Sequence, residues 1–138
     1  MMSFRTAALG AAFFFLLISG AGAEDAVTPD WSKAQSVEVT LTNYAFSPQS
    51  LHLKRGMPYR LHFVNNGSKS HNFTSEKFFA AVTIVPEDRG KVMDGKVELA
   101  EGQSANVRVI PVTPGTYPVS CSHFMHAMLG MRGEAVIV

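Results

Sequence analysis

The residues best equipped for chemistry crowd into one stretch, PGTYPVSCSHFMHAMLGMRG, residues 114–133. It holds the chain's single cysteine, Cys121, two of its five histidines, His123 and His126, and three of its seven methionines, Met125, Met128 and Met131. About 50 residues earlier His71 stands in NNGSKSHNF. Thiol, imidazole and thioether are metal donors. A thiolate and two imidazoles with a weak thioether on the axis suit copper that cycles between Cu(I), which prefers soft sulfur, and Cu(II), which prefers nitrogen. The spacing offers His71, then Cys121-x4-His126-x4-Met131. Two competitors lie inside the same loop. His123 is two residues after Cys121, and Met128 is only two after His126, which leaves the chain little room to swing back.

Other chemistries lack their parts. No paired carboxylates, nucleophile elbow or phosphate-binding loop lies near the stretch. Four protein ligands leave no obvious open position for a substrate. The expectation is therefore electron transfer and no enzymatic activity. A lone cysteine in an oxidising compartment forms no internal disulfide, so it is expected to be buried or metal-bound.

Such donors need a rigid frame, and most of the chain reads with period two. Val37, Val39 and Leu41 alternate with polar residues; Leu51 and Leu53 flank His52; Tyr59, Leu61 and Phe63 alternate with Arg60 and His62. Val97 with Leu99, Val107 with Val109, and the closing EAVIV continue the pattern. Turns at Ser47-Pro48, Arg55-Gly56, Asn65-Asn66-Gly67, Asp94-Gly95, Glu101-Gly102 and Pro114-Gly115 separate these runs. The prediction is an all-β, Greek-key antiparallel sandwich of seven to eight strands with a short helical insertion at residues 75–81. Residues 86–94, PEDRGKVMD, read as an exposed loop. His52 and His62 belong on the solvent face of their strands, Tyr117 in the core, and Trp31 packed on the barrel.

The first 23 residues carry Arg5, an apolar run from Ala7 to Ile18 and a small-residue ending, Ala21-Gly22-Ala23. That is the layout of a secretory signal peptide. The run falls short of the roughly 20 residues of a membrane span. The expectations are a cleaved signal at 1–23, a flexible polar leader at 24–35, a single domain at 36–138, and a periplasmic or otherwise exported protein with no membrane span after cleavage. Of twelve Lys and Arg, Arg5 is one, and eleven Asp and Glu balance the rest. A near-neutral chain without a basic tract gives no reason to expect nucleic acid as a partner.

Three segments in order resemble the cupredoxins, the small blue copper proteins. YAFSPQSLHLKRG is similar to that family's F-x-P entry and following strand. YRLHFVNNGSKSHNF is similar to the strand and turn that carry its first histidine. PGTYPVSCSHFMHAMLGMRGEAVIV is similar to its P-G-x-Y-x-x-x-C, ligand loop and last strand. The resemblance covers about residues 36–138. It implies a cupredoxin-like sandwich with one copper ion, His71, Cys121 and His126 as equatorial ligands, and Met131 as the axial one. It also implies that Asn72 ties the ligand loops together and orients the cysteine sulfur. The implied function is one-electron transfer by an exported monomer. Its redox partner would dock near His126 on the apolar residues Phe124, Met125, Ala127, Met128 and Leu129. The competing expectation is an exported copper carrier or copper-tolerance protein without a redox role, motivated by the surplus donors His123, Met125 and Met128.

Overall fold

The computed structural model describes residues 28–138. The expected signal peptide at 1–23, and the leader up to residue 27, lie outside the described residues. Near the start of the described chain Asp30 caps a 3-10 turn at Trp31–Lys33, its side chain accepting from the Ser32 N–H. Ten strands follow among the described residues: β1 (Gln35–Thr42), β2 (Ala45–Ser47), β3 (Ser50–Leu53), β4 (Tyr59–Asn65), β5 (His71–Thr74), β6 (Val82–Ile84), β7 (Lys96–Leu99), β8 (Ser104–Pro111), β9 (Gly115–Ser120) and β10 (Arg132–Ile137). They form two five-stranded sheets, ordered β2-β1-β4-β8-β6 and β3-β10-β9-β5-β7.

The all-β sandwich is as the alternation predicts. Three strands are additions, and each lacks an alternating signal. β2 and β6 are only three residues long. In β5 His71, Asn72 and Phe73 are all buried, so both faces are covered and no alternation shows. The sandwich is also not antiparallel throughout. After β3 crosses to the second sheet, the chain re-enters the first at the end where β1 began. β4 then runs parallel to β1, with Gln35 opposite Tyr59, and β3 runs parallel to β10.

Alternate residues of both sheets fill the core. Val39, Leu41, Leu61, Phe63, Val107 and Val109 from one meet Leu51, Leu53, Phe73, Val97, Leu99, Val119, Ala135 and Ile137 from the other. Each of the Val, Leu, Ile and Phe side chains among them contributes roughly 1.5–3 kcal/mol on burial. Phe73 is central, with Phe46, Phe63, Phe78 and Phe79 around it at 5.0–6.1 Å between ring centroids. The helical insertion is α1 (Glu76–Ala80). Ser75 caps it by accepting from the Phe78 N–H, and its Phe78 and Phe79 turn inward.

Two local readings change. Residues 86–91 form a 3-10 helix rather than an open loop, and it buries Asp88 against β8. Tyr117 is only half-buried, packing against the core while its hydroxyl donates to the Thr113 carbonyl at 2.7 Å. His52 is exposed and His62 half-exposed, as their alternation predicts.

Candidate metal centre

β1 and β4 end at the pole where β5 begins and β9 ends. The site is assembled there. Asn65, at the end of β4, is fully buried and builds the turn that follows. Its amide donates to the carbonyls of Lys69 and Leu99, and its oxygen accepts from the Gly67 N–H. That turn delivers His71 as the first residue of β5. Cys121 comes directly after Ser120, the last residue of β9.

The loop from Cys121 to Met131 is folded on itself by successive turns. His126 N–H donates to the His123 carbonyl and Leu129 N–H to that of Met125, where Met125 takes a left-handed φ of 61°. The loop's ends are tied to its middle. Met131 N–H donates to the His126 carbonyl at 3.0 Å, and Cys121 N–H donates to the Met131 carbonyl at 3.1 Å.

These elements bring three donors together. His71 Nδ1 lies 3.2 Å from His126 Nδ1, and His126 Nδ1 lies 3.4 Å from Cys121 Sγ. One donor atom from each of the three fits within 4.8 Å of the other two, and all three residues are buried. Met131, fully buried, belongs to the same loop. Burial lowers the pKa of both His71 and His126, and their neighbours add to it: chiefly His126 and His123 for His71, and His123 and Lys69 for His126. Both shifts favour the neutral imidazole, the form that binds a metal.

Asn72 ties the two loops together, one of the two roles the resemblance implies. Its oxygen accepts from the Ser122 N–H at 2.8 Å, and its amide donates to Ser122 Oγ at 2.7 Å. It therefore joins β5 to the residue after Cys121. No local pattern marks its other partner. The Asn72 amide also donates to Glu98 Oε2 on β7, and the other Glu98 oxygen meets His123 Nε2. His123 thus points to Glu98 and stands outside the donor cluster, although its ring lies 5.5 Å from that of His126.

The turn between β1 and β2 was also unforeseen. Asn43 Oδ1 lies 3.0 Å from His71 Nε2. Tyr44, held at a φ of 68°, sets its ring edge-on to His126 at 5.2 Å and to His71 at 6.4 Å. No short-range signal marks these partners, because they lie far apart in sequence.

The loop on either side of His126 exposes apolar side chains. Phe124 is 89% exposed, Met128 77%, Leu129 54% and Met125 45%, while His126 itself is 9% exposed. Exposed apolar residues are ordinary when scattered; four within six positions of one loop form a patch.

A two-sheet sandwich with a buried thiol and two buried imidazoles converging at one pole defines a class of small metal-binding β proteins. Comparison with known proteins specifies it. The chain matches the cupredoxin-like domain model over residues 6–137 and belongs to that family. No curated protein sequence matches it. Among solved structures, auracyanin B is 27% identical over 76% of this chain and 89% of its own, with a TM-score of 0.56. Dithionite-reduced auracyanin from the photosynthetic bacterium Roseiflexus castenholzii is 17% identical over 76% of this chain and 98% of its own, with a TM-score of 0.57. A multicopper oxidase from Campylobacter jejuni has the same TM-score at 13% identity, but the match spans only 31% of that protein. At such identities the last two attest the fold alone. Among the described residues no helix is long and apolar enough to cross a membrane.

Proposed function

We propose that the protein is a one-electron carrier built on a single copper ion held by His71, Cys121, His126 and Met131. The observation that carries this reading is the convergence of His71 Nδ1, His126 Nδ1 and Cys121 Sγ in a buried space. The donor chemistry fits copper: two imidazoles for Cu(II), one thiolate for Cu(I), and a thioether available from Met131.

Copper, when bound, supplies the one-electron redox change. The chain's own residues do the rest. Burial disfavours the protonated imidazoles and keeps water away from the sulfur. The Asn72 bonds to Ser122 hold the Cys121 backbone to β5, so the frame has little to reorganise when charge changes. His126 lies within the run of residues that forms the apolar patch, and is itself 9% exposed. A redox partner docking weakly on Phe124, Met125, Met128 and Leu129 would meet the nearest ligand there.

The protein is proposed to be exported, a reading that rests on the sequence of residues 1–23, and to work as a monomer. Copper-loaded protein is expected to show an intense thiolate-to-copper band in the visible, which Cys121→Ala abolishes. A Cu(II) protein without that band sinks the proposal.

One observation favours the copper-carrier alternative: Met125 and Met128 expose soft sulfur beside the site. That reading requires more than one copper ion per chain or rapid release to a chelator. The attachment of His123 to Glu98 removes one of the three surplus donors that motivated it.

A further inference from the structure

Asn43 sits in a surface turn 28 residues before His71, yet its side chain reaches the imidazole nitrogen that faces away from the donor cluster. Which role that nitrogen plays is decided by what fixes the amide. Ser68 N–H donates to Asn43 Oδ1 at 3.1 Å, and Asn43 Nδ2 donates to Ser68 Oγ at 2.8 Å. A backbone N–H can only donate, so the atom beside it is the amide oxygen. The same oxygen stands 3.0 Å from His71 Nε2. That nitrogen must then be the one carrying hydrogen, and His71 Nδ1 must present its lone pair toward His126 and Cys121. A neutral imidazole has one N–H and one acceptor nitrogen, so fixing one end fixes the other.

Gly67 supplies the space. A Cβ there would lie 2.7 Å from Asn43 Oδ1 and 2.7 Å from His71 Nε2, in the middle of the contact. The turn built by Asn65 thus brings three things together: a glycine with room above it, the Ser68 groups that orient the amide, and His71 itself.

We infer that Asn43 is a positioning residue of the metal centre, setting the tautomer and ring orientation of His71 through a side-chain oxygen held by Ser68. The inference rests on the copper reading for its consequence, though not for its geometry. Groups that hold the outer nitrogen of a ligating histidine are typically worth ten- to a hundred-fold in metal affinity. Because the acceptor is a side chain, one substitution removes it.

The test begins on metal-free protein, where nitrogen-resolved NMR at neutral pH reads which ring nitrogen of His71 bears hydrogen. The wild type is expected to show the Nε2–H form. Asn43→Ala is expected to give a mixture, Asn43→Asp to restore Nε2–H by keeping an acceptor in place, and Gly67→Ala to reproduce Asn43→Ala by wedging the pair apart. Copper affinity, measured by competition with a chelator, is expected to fall roughly ten- to a hundred-fold in Asn43→Ala and Gly67→Ala and to recover in Asn43→Asp. An Nδ1–H wild type overturns the inference, as does an Asn43→Ala protein with wild-type tautomer and affinity. Wild type with the Nε2–H form but no thiolate-to-copper band sinks the copper proposal and leaves the Asn43 assignment standing.

Discussion

Two clusters of buried polar side chains serve this protein in opposite ways. Where the 3-10 helix at 86–91 meets β8, the Asp88 carboxylate is buried and surrounded by donors. Oδ2 accepts from Arg108 N–H at 2.9 Å and Arg108 Nε at 2.8 Å, and Oδ1 accepts from Lys91 Nζ at 2.9 Å. At the pole that gathers the three donors, His71 Nδ1, His126 Nδ1 and Cys121 Sγ are just as enclosed but face one another. The first cluster brings its own cations and is closed by the fold. The second converges three atoms that can all act as acceptors, with no protein cation among them. A buried carboxylate met by Arg and Lys is a fastener; inward-facing acceptors are a receptacle for a cation from outside.

Copper should separate the two most strongly. At about a thousandfold excess over its dissociation constant, a ligand bound only by the folded state stabilises by about 4 kcal/mol. Denaturant unfolding should show a rise of that order on adding copper to the wild type and to Asp88→Asn, and little or none for Cys121→Ala. Next in size, Asp88→Ala should cost about 2 kcal/mol in the metal-free protein. That is less than for a fully enclosed pair, because the Arg108 side chain is 32% exposed and water screens it. The visible band of the copper form should not change. A shifted band in Asp88→Ala would show that the two clusters are coupled.

Acid gives a smaller and graded effect. Burial alone would raise the Asp88 pKa, but the bonds from Arg108 and Lys91 outweigh it and hold the carboxylate well below its usual range. A depressed folded value means the unfolded chain binds the proton first. The stabilisation is therefore complete above the ordinary carboxylate value of 3.8 and is lost as pH falls below it toward the folded value. Unfolding midpoints of metal-free protein between pH 5 and pH 2 should decline less steeply in Asp88→Asn than in wild type. The smallest effect belongs to His123→Ala. With its ring held by Glu98, its removal should leave one copper per chain and a nearly unchanged spectrum. Loss of copper or a new band would make His123 a ligand.

The same contrast explains what could be read from the sequence. Cys121 and His126 were legible because their contact is local, within one loop, and His71 because the Asn65-Asn66-Gly67 turn precedes it. Periodicity exposed the strands with one wet face and missed β5, whose first three residues are all buried. Asp88 sits in PEDRGK, whose charges spell solvent, and its partner Arg108 is 20 positions on. The pairs Asn43 with His71 and Glu98 with His123 are 28 and 25 positions apart. They depend on how the two sheets bring distant turns to one pole, which no local pattern records.

The hydrogen bonds that tie Cys121 to Met131 and Met131 to His126 leave a mark on how the protein can change. Ser120 and Arg132, on either side, are paired neighbours in the β9–β10 ladder, so the whole loop is an excursion from a hairpin. Doubling the length of such an excursion costs only about 0.6 kcal/mol in closure entropy. By closure entropy alone, residues between the two tied ends could be added at little cost to the ladder on which the loop stands, whereas Cys121 and Met131, which pack in the core, belong to the sandwich itself.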